Sequence, residues 1–136
     1  MLRISNWVLF WGYVAMLVCV GASGIVIAAW ELPTVFDVHL DSLSPVERAT
    51  MTSQYRFLKG MELAFGVYGV AYWREIFSSR KANMVFLSGL SCGVTARLLS
   101  IVLDGWPSPI FLAFLLLELA CGVVVFLYSR RTLVSP

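Results

Sequence analysis

Apolar residues in this chain come in long uncharged runs separated by short polar ones. No charged residue occurs between Ile4 and Trp30. The run from Asn83 to Leu103 is interrupted only by Arg97, and the run from Ser108 to Tyr128 only by Glu118. Crossing the hydrocarbon of a bilayer takes about 20 helical residues. The three runs therefore predict transmembrane helices over 6–30, 83–103 and 108–128. A fourth span, 54–74, is apolar in its second half and opens with Arg56, Lys59 and Glu62. The expected fold is all-α: a polytopic membrane protein, an antiparallel four-transmembrane-helix bundle, with residues 1–136 as a single four-span domain and 31–53 as an extracytoplasmic loop.

The punctuation agrees with this division. Ser44-Pro45-Val46-Glu47 has the form of a capping box with proline at the first helical position, so the second helix is expected to start near Pro45 and run inward without a break. Asp104-Gly105 turns the chain, and Ser108-Pro109 supplies an N-cap and a first-turn proline for the last helix. Arg3 followed by apolar residues resembles the start of a signal peptide. The uncharged run that follows far exceeds the roughly 7–15 residues of a signal h-region, which favours a retained first helix. Trp7, Trp11, Tyr13 and Trp30 sit where interfacial anchors are expected.

Composition narrows the class. Of the 136 residues, 60% are hydrophobic and only 13% charged, which would leave a soluble domain with far more apolar surface than water tolerates. The net charge of +2, without any basic run, gives no surface for nucleic acid. Arg3, Arg74, Arg80, Lys81, Arg130 and Arg131 mark the N-terminus, the middle loop and the C-terminus. The other two loops carry Glu31, Asp37, Asp41, Glu47 and Asp104 against Arg48 alone. By the positive-inside rule both termini are cytoplasmic, in a multi-pass protein of the inner (cytoplasmic) membrane. Cys19, Cys92 and Cys121 are isolated in apolar segments, without a CxxC or Cys/His grouping, and read as small buried hydrophobes. His39, the one histidine, lies in the polar loop beside Asp37 and Asp41 and reads as solvated. No metal site and no cofactor is expected.

The informative residues are the ionisable ones inside the apolar runs. A charge near the bilayer centre costs about 2.5–3.5 kcal/mol on insertion scales, so Arg56, Lys59, Glu62, Arg97 and Glu118 must face one another, a cavity or a partner. Counting helical rise from the outer ends, Glu62 lies roughly 10 Å, Arg97 about 9 Å and Glu118 roughly 14 Å deep. Helical spacing puts Gly89, Gly93, Arg97, Ser100 and Asp104 on one stripe, with the glycines as a seam for a neighbouring helix. Tyr55, Lys59, Glu62, Gly66 and Gly69 share a second face, and Leu115, Glu118, Cys121 and Gly122 a third. Three readings fit: a self-neutralising network that fixes helix register, an outer-half polar pocket, or contact with another membrane subunit.

One pattern adds to this. Arg56-x-x-Lys59-Gly60, then Arg97-Leu98-Leu99-Ser100, Asp104-Gly105-x-Pro107-Ser108-Pro109 and Glu118-Leu119 resemble a family of small bacterial four-helix membrane proteins catalogued as a domain of unknown function. The resemblance covers Trp7 to Tyr128. It implies a four-span fold, carries no assigned activity or cofactor, and singles out Arg56, Gly60, Arg97, Asp104, Gly105, Pro107 and Glu118. The leading expectation is a non-enzymatic protein that binds a lipid-like ligand or a membrane partner through Arg56, Lys59, Glu62, Arg97, Ser100, Asp104 and Glu118. Membrane lipid, another membrane subunit or a second copy of the chain are the partner classes. The alternatives are an accessory subunit of a membrane complex, or a membrane enzyme using Glu118 for proton transfer to a hydrophobic substrate.

Overall fold

A computed structural model describes residues 2–133, with side chains over 7–130. Helix α1 spans Leu2–Phe36, α2 Pro45–Ala71, α3 Trp73–Ser78, α4 Arg80–Asp104 and α5 Pro109–Leu133, with a 3₁₀ turn at Leu40–Ser42. Among the described residues there is no strand. Three helices are long and apolar enough to cross a membrane: Trp7–Phe36, Arg80–Asp104 and Pro109–Arg130. Helix α2 covers the expected second span only as far as Ala71, the backbone breaking at Tyr72 before α3, and Arg56, Lys59 and Glu62 near the start of that span keep it below that standard of apolarity. Arg3 and Arg131, two of the charges behind the expected orientation, lie outside the residues whose side chains are described.

The elements begin and end for local reasons. Helix α1 runs six residues beyond its expected end at Trp30, through Glu31 and Pro33. Pro33 has no N–H to give the Ala29 carbonyl, and just upstream the backbone leaves helical geometry at Ile27 (φ −100°, ψ 19°). The helix stops at Asp37, which adopts φ 55° while the Val38 N–H donates back to the Leu32 carbonyl at 3.1 Å. This is a left-handed helix end, and aspartate is one of the few residues besides glycine that visits it readily. The capping box forms as expected: the Ser44 N–H donates to Glu47 Oε2 at 2.9 Å and the Glu47 N–H to Ser44 Oγ at 3.3 Å. At the far end of α4, Gly105 takes φ 95° and its N–H donates to the Ile101 carbonyl, a conformation that a Cβ would strain.

The chain forms two compact units. The first comprises 1–14 and 68–136. Its core is aromatic: Phe77 lies against Trp7, Phe10 and Tyr128 with ring centroids 4.9, 5.1 and 5.4 Å away, and Phe10 also meets Phe86 at 5.6 Å. The tight α3–α4 corner is tied by two buried polar bonds. The Asn83 side chain donates to the Ile76 carbonyl at 2.8 Å, and the Tyr68 hydroxyl to the Ala82 carbonyl at 3.0 Å. The Ile76 carbonyl is among the last four of α3, which have no full set of intrahelical donors.

The second unit, 15–67, packs α1 antiparallel to α2. The approach is close: a Cβ on Gly21 would come within 2.6 Å of the Leu63 backbone nitrogen, and one on Gly24 within 2.6 Å of the Lys59 side chain. Small residues at such crossings let backbones meet without a hydrophobic driving force. The sequence had placed a glycine seam on α4. There Gly93 has nothing within 4 Å of where its Cβ would stand, and Gly89 is exposed.

Two outcomes follow. Gly21→Ala should lower stability by about 1–3 kcal/mol, because Leu63 backbone has to move, whereas Gly60→Ala, facing open space, should leave stability unchanged or raised. Thermal unfolding of both variants in the same micelle checks this. The Ser44 hydroxyl and then its backbone N–H hold the Glu47 carboxyl below its ordinary pKa. The cap therefore contributes in full above that ordinary value and is lost as pH falls through the lowered one. A carboxyl-carbon NMR titration should show the depressed midpoint, and Ser44→Ala should return it upward.

Candidate functional site

On α4 the buried residues are Asn83, Phe86, Leu90 and Val94, at helical spacing, and the next position on that stripe is Arg97. Gly93, Ser100 and Asp104, expected to share Arg97's inward face, are exposed instead. The difference is one of rotation: the large apolar side chains, not the small residues, claim the packed face. On α5 Leu115, Glu118 and Cys121 of the expected stripe are buried and Gly122 is half-buried, with Val125 buried one turn on.

These two stripes bring Arg97 and Glu118 together. Arg97 Nε donates to Glu118 Oε2 at 3.0 Å and Nη2 to Oε1 at 3.3 Å, a fork-on-fork pair that ties α4 to α5. Glu118 is 6% exposed, and the Arg97 guanidinium stands 5.8 Å from the Phe111 ring centre. Ser100 Oγ donates to Asp104 Oδ2 at 2.9 Å within α4, so Asp104 closes the helix end locally. Below the pair, toward the middle of the helices, runs a groove of about 590 Å³ between α4 and α5. Leu90, Val94, Leu119 and Phe126 make it apolar, and Ser91 and Thr95 add hydroxyls. It ends at Thr95 and Leu119, two residues from Arg97 and one from Glu118.

The second unit holds its own pair. Lys59 Nζ donates to Glu62 Oε2 at 2.9 Å, with the lysine side chain 5% exposed and its ammonium 5.3 Å from the Tyr55 ring centre. Gly24 leaves the space that the lysine stem occupies. Among the described residues Arg56 pairs with no carboxylate: its Nε donates to the Ile25 carbonyl at 3.2 Å, beside the break in α1. Sequence reasoning missed Glu31 as a buried group. It was assigned to the loop, yet it lies on α1, buried, beside Tyr55, and its Oε2 and the Tyr55 hydroxyl do not reach hydrogen-bonding geometry. The signal was available in Val35-Phe36, which continue the apolar pattern past Pro33.

Cysteine exposure also differs from expectation: Cys121 is buried, but Cys19 and Cys92 are exposed. On apolar helices such positions are as compatible with a lipid-facing surface as with a packed one. Among the described residues no three His, Cys, Asp or Glu side chains stand together as a metal site.

The class defined by these features is an all-helical protein with three membrane-capable helices, two of them joined by the Arg97–Glu118 pair. More particularly, the chain belongs to the family described as "Domain of unknown function (DUF4345)", whose model matches residues 1–129. This agrees with the resemblance read from the Arg97-Leu98-Leu99-Ser100 and Asp104-Gly105 segments. Neither a curated protein nor a solved structure matches the chain.

The pair's weight can be measured. Breaking a buried ion pair from one side leaves an uncompensated charge and costs about 3–5 kcal/mol, while replacing both partners with apolar groups of similar volume is often near neutral. Arg97→Met and Glu118→Leu should each lower stability by roughly that amount. The double variant should recover most of the loss, as read by unfolding in a fixed detergent.

Proposed function

We propose that this chain is a four-span inner-membrane protein, with both termini cytoplasmic, that holds a lipid-like ligand between α4 and α5. The supporting observation is the apolar groove of about 590 Å³ that ends at Thr95 and Leu119, close in sequence to the Arg97–Glu118 pair though neither partner lines it. An amphiphile matches both parts. Its hydrocarbon lies along Leu90, Val94, Leu119 and Phe126, and its polar head meets the end of the groove at the ion pair. Glu118 neutralises Arg97 and occupies two of its nitrogens, which leaves one donor nitrogen and favours an uncharged polar head over a free anion.

The fourth span is 54–74, which α2 supplies as far as Ala71. Lys59 and Glu62 oppose its insertion as separate charges, and their 2.9 Å pairing on one buried face lowers that cost. The lysine and arginine distribution supports the orientation.

The test is native mass spectrometry of the full chain, extracted gently from its own membrane. A defined lipid adduct is expected, lost in Ser91→Phe, which fills the groove from an exposed position without touching the pair. Retention of the same adduct in that variant would overturn the reading. So would a second polypeptide bound in fixed ratio with no lipid, which would make the α4–α5 face a subunit interface.

A further inference from the structure

The unit formed by 15–67 has a cleft of about 490 Å³ lined by Ala29 of α1 and by Pro45, Arg48, Ala49, Thr52, Ser53 and Arg56 of α2. The α2 positions follow the spacing of one helical face, so two guanidinium groups two turns apart flank two hydroxyls, with only small residues between them. Glu47 is on the opposite face of the helix, engaged in the cap. From this arrangement we propose that the cleft binds a phosphate group, with Arg48 and Arg56 closing on it from either side and the Thr52 and Ser53 hydroxyls donating to its oxygens. The site lies in the other unit from the α4–α5 groove, and its chemistry stands whether or not that groove holds a lipid.

Both arginines are suited to the task. Arg56 is fixed by donating Nε to the Ile25 carbonyl at 3.2 Å, which leaves the outer edge of its guanidinium for an acceptor. Arg48 is held only at the limit of an ion pair, 3.5 Å from Asp41, with side chains 51% and 99% exposed. Such an exposed pair is worth little, and a phosphate offers more acceptors at higher charge. Small residues at Ala29, Pro45 and Ala49 keep the floor of the cleft open. The cleft precedes the apolar half of α2, the level at which phospholipid phosphates lie if that half spans the membrane. A lipid headgroup and free inorganic phosphate share this chemistry, and the experiment separates them.

The full chain in detergent is titrated calorimetrically with dihexanoyl phosphatidic acid, inorganic phosphate and dihexanoyl glycerol. Phosphatidic acid should bind, dihexanoyl glycerol should not compete, and added salt should weaken the binding. Arg48→Gln should reduce affinity by about 10-fold or more, the loss of one charge-assisted bond. Arg48→Gln with Arg56→Gln should abolish it, Asp41→Asn should tighten it several-fold by freeing Arg48, and Lys81→Gln, the same charge change elsewhere, should do nothing. Competition by inorganic phosphate at similar affinity identifies free phosphate as the source, and its failure to compete identifies the lipid. Phosphatidic acid binding that is unchanged in Arg48→Gln, which among the described residues removes only the exposed contact with Asp41, would overturn the proposal, as would equal binding of dihexanoyl glycerol.

Discussion

An ionised side chain within an apolar helix must find its counter-charge inside the protein, and this constraint organises the molecule. Arg97 and Glu118 meet it in the first unit by facing each other across α4 and α5 through two bonds. Because the pair is bidentate, it ties the rotation and the register of the two helices to each other. Once Arg97 is turned toward α5, Leu90 and Val94 follow onto the packed face, and Ser100 and Asp104 are left outside. The groove beneath the pair is the space between two helices held at that register.

The second unit answers the same constraint on a single helix. Lys59 and Glu62 are one turn apart on α2 and neutralise each other before any neighbour is involved. The remaining requirement is room for the lysine stem, which Gly24 supplies, and close contact of the helices, which Gly21 allows. Arg56 shows another solution, giving its Nε to a backbone carbonyl near a break in α1. Glu31 and Tyr55 are the place where satisfaction is incomplete.

Much of the fold was legible from the chain alone, because helix length and punctuation act locally. The capping box at Ser44–Glu47, the turn at Asp104-Gly105 and the start of α5 at Pro109 stand where turn and cap chemistry puts them. The pairing of Arg97 was not legible: Glu118, Glu62 and Asp104 were all open as partners, and the choice depends on the rotation of α4, which puts Arg97 on the stripe of Phe86, Leu90 and Val94. The end of α1 was misplaced because Glu31 and Pro33 look like loop residues, whereas proline within a helix removes one bond and need not end it. The cleft at Arg48 and Arg56 was hidden for a different reason. Its lining combines residues on both sides of a connection, and no motif announces that Ala29 stands opposite Ala49.

Where the Arg97 guanidinium is directed in a bilayer decides whether it is a helix–helix bond or a lipid anchor. Solid-state NMR of the full chain in native lipids, with nitrogen-labelled arginine and carbon-labelled glutamate, reads this directly. A strong dipolar coupling between Arg97 Nε and the Glu118 carboxyl carbon is expected, as their 3.0 Å nitrogen–oxygen contact requires, with little coupling from that guanidinium to lipid phosphorus. A strong Arg97–phosphorus coupling without one to Glu118 would contradict the account, since the residue would then be a lipid anchor and not the bond that sets α4 against α5.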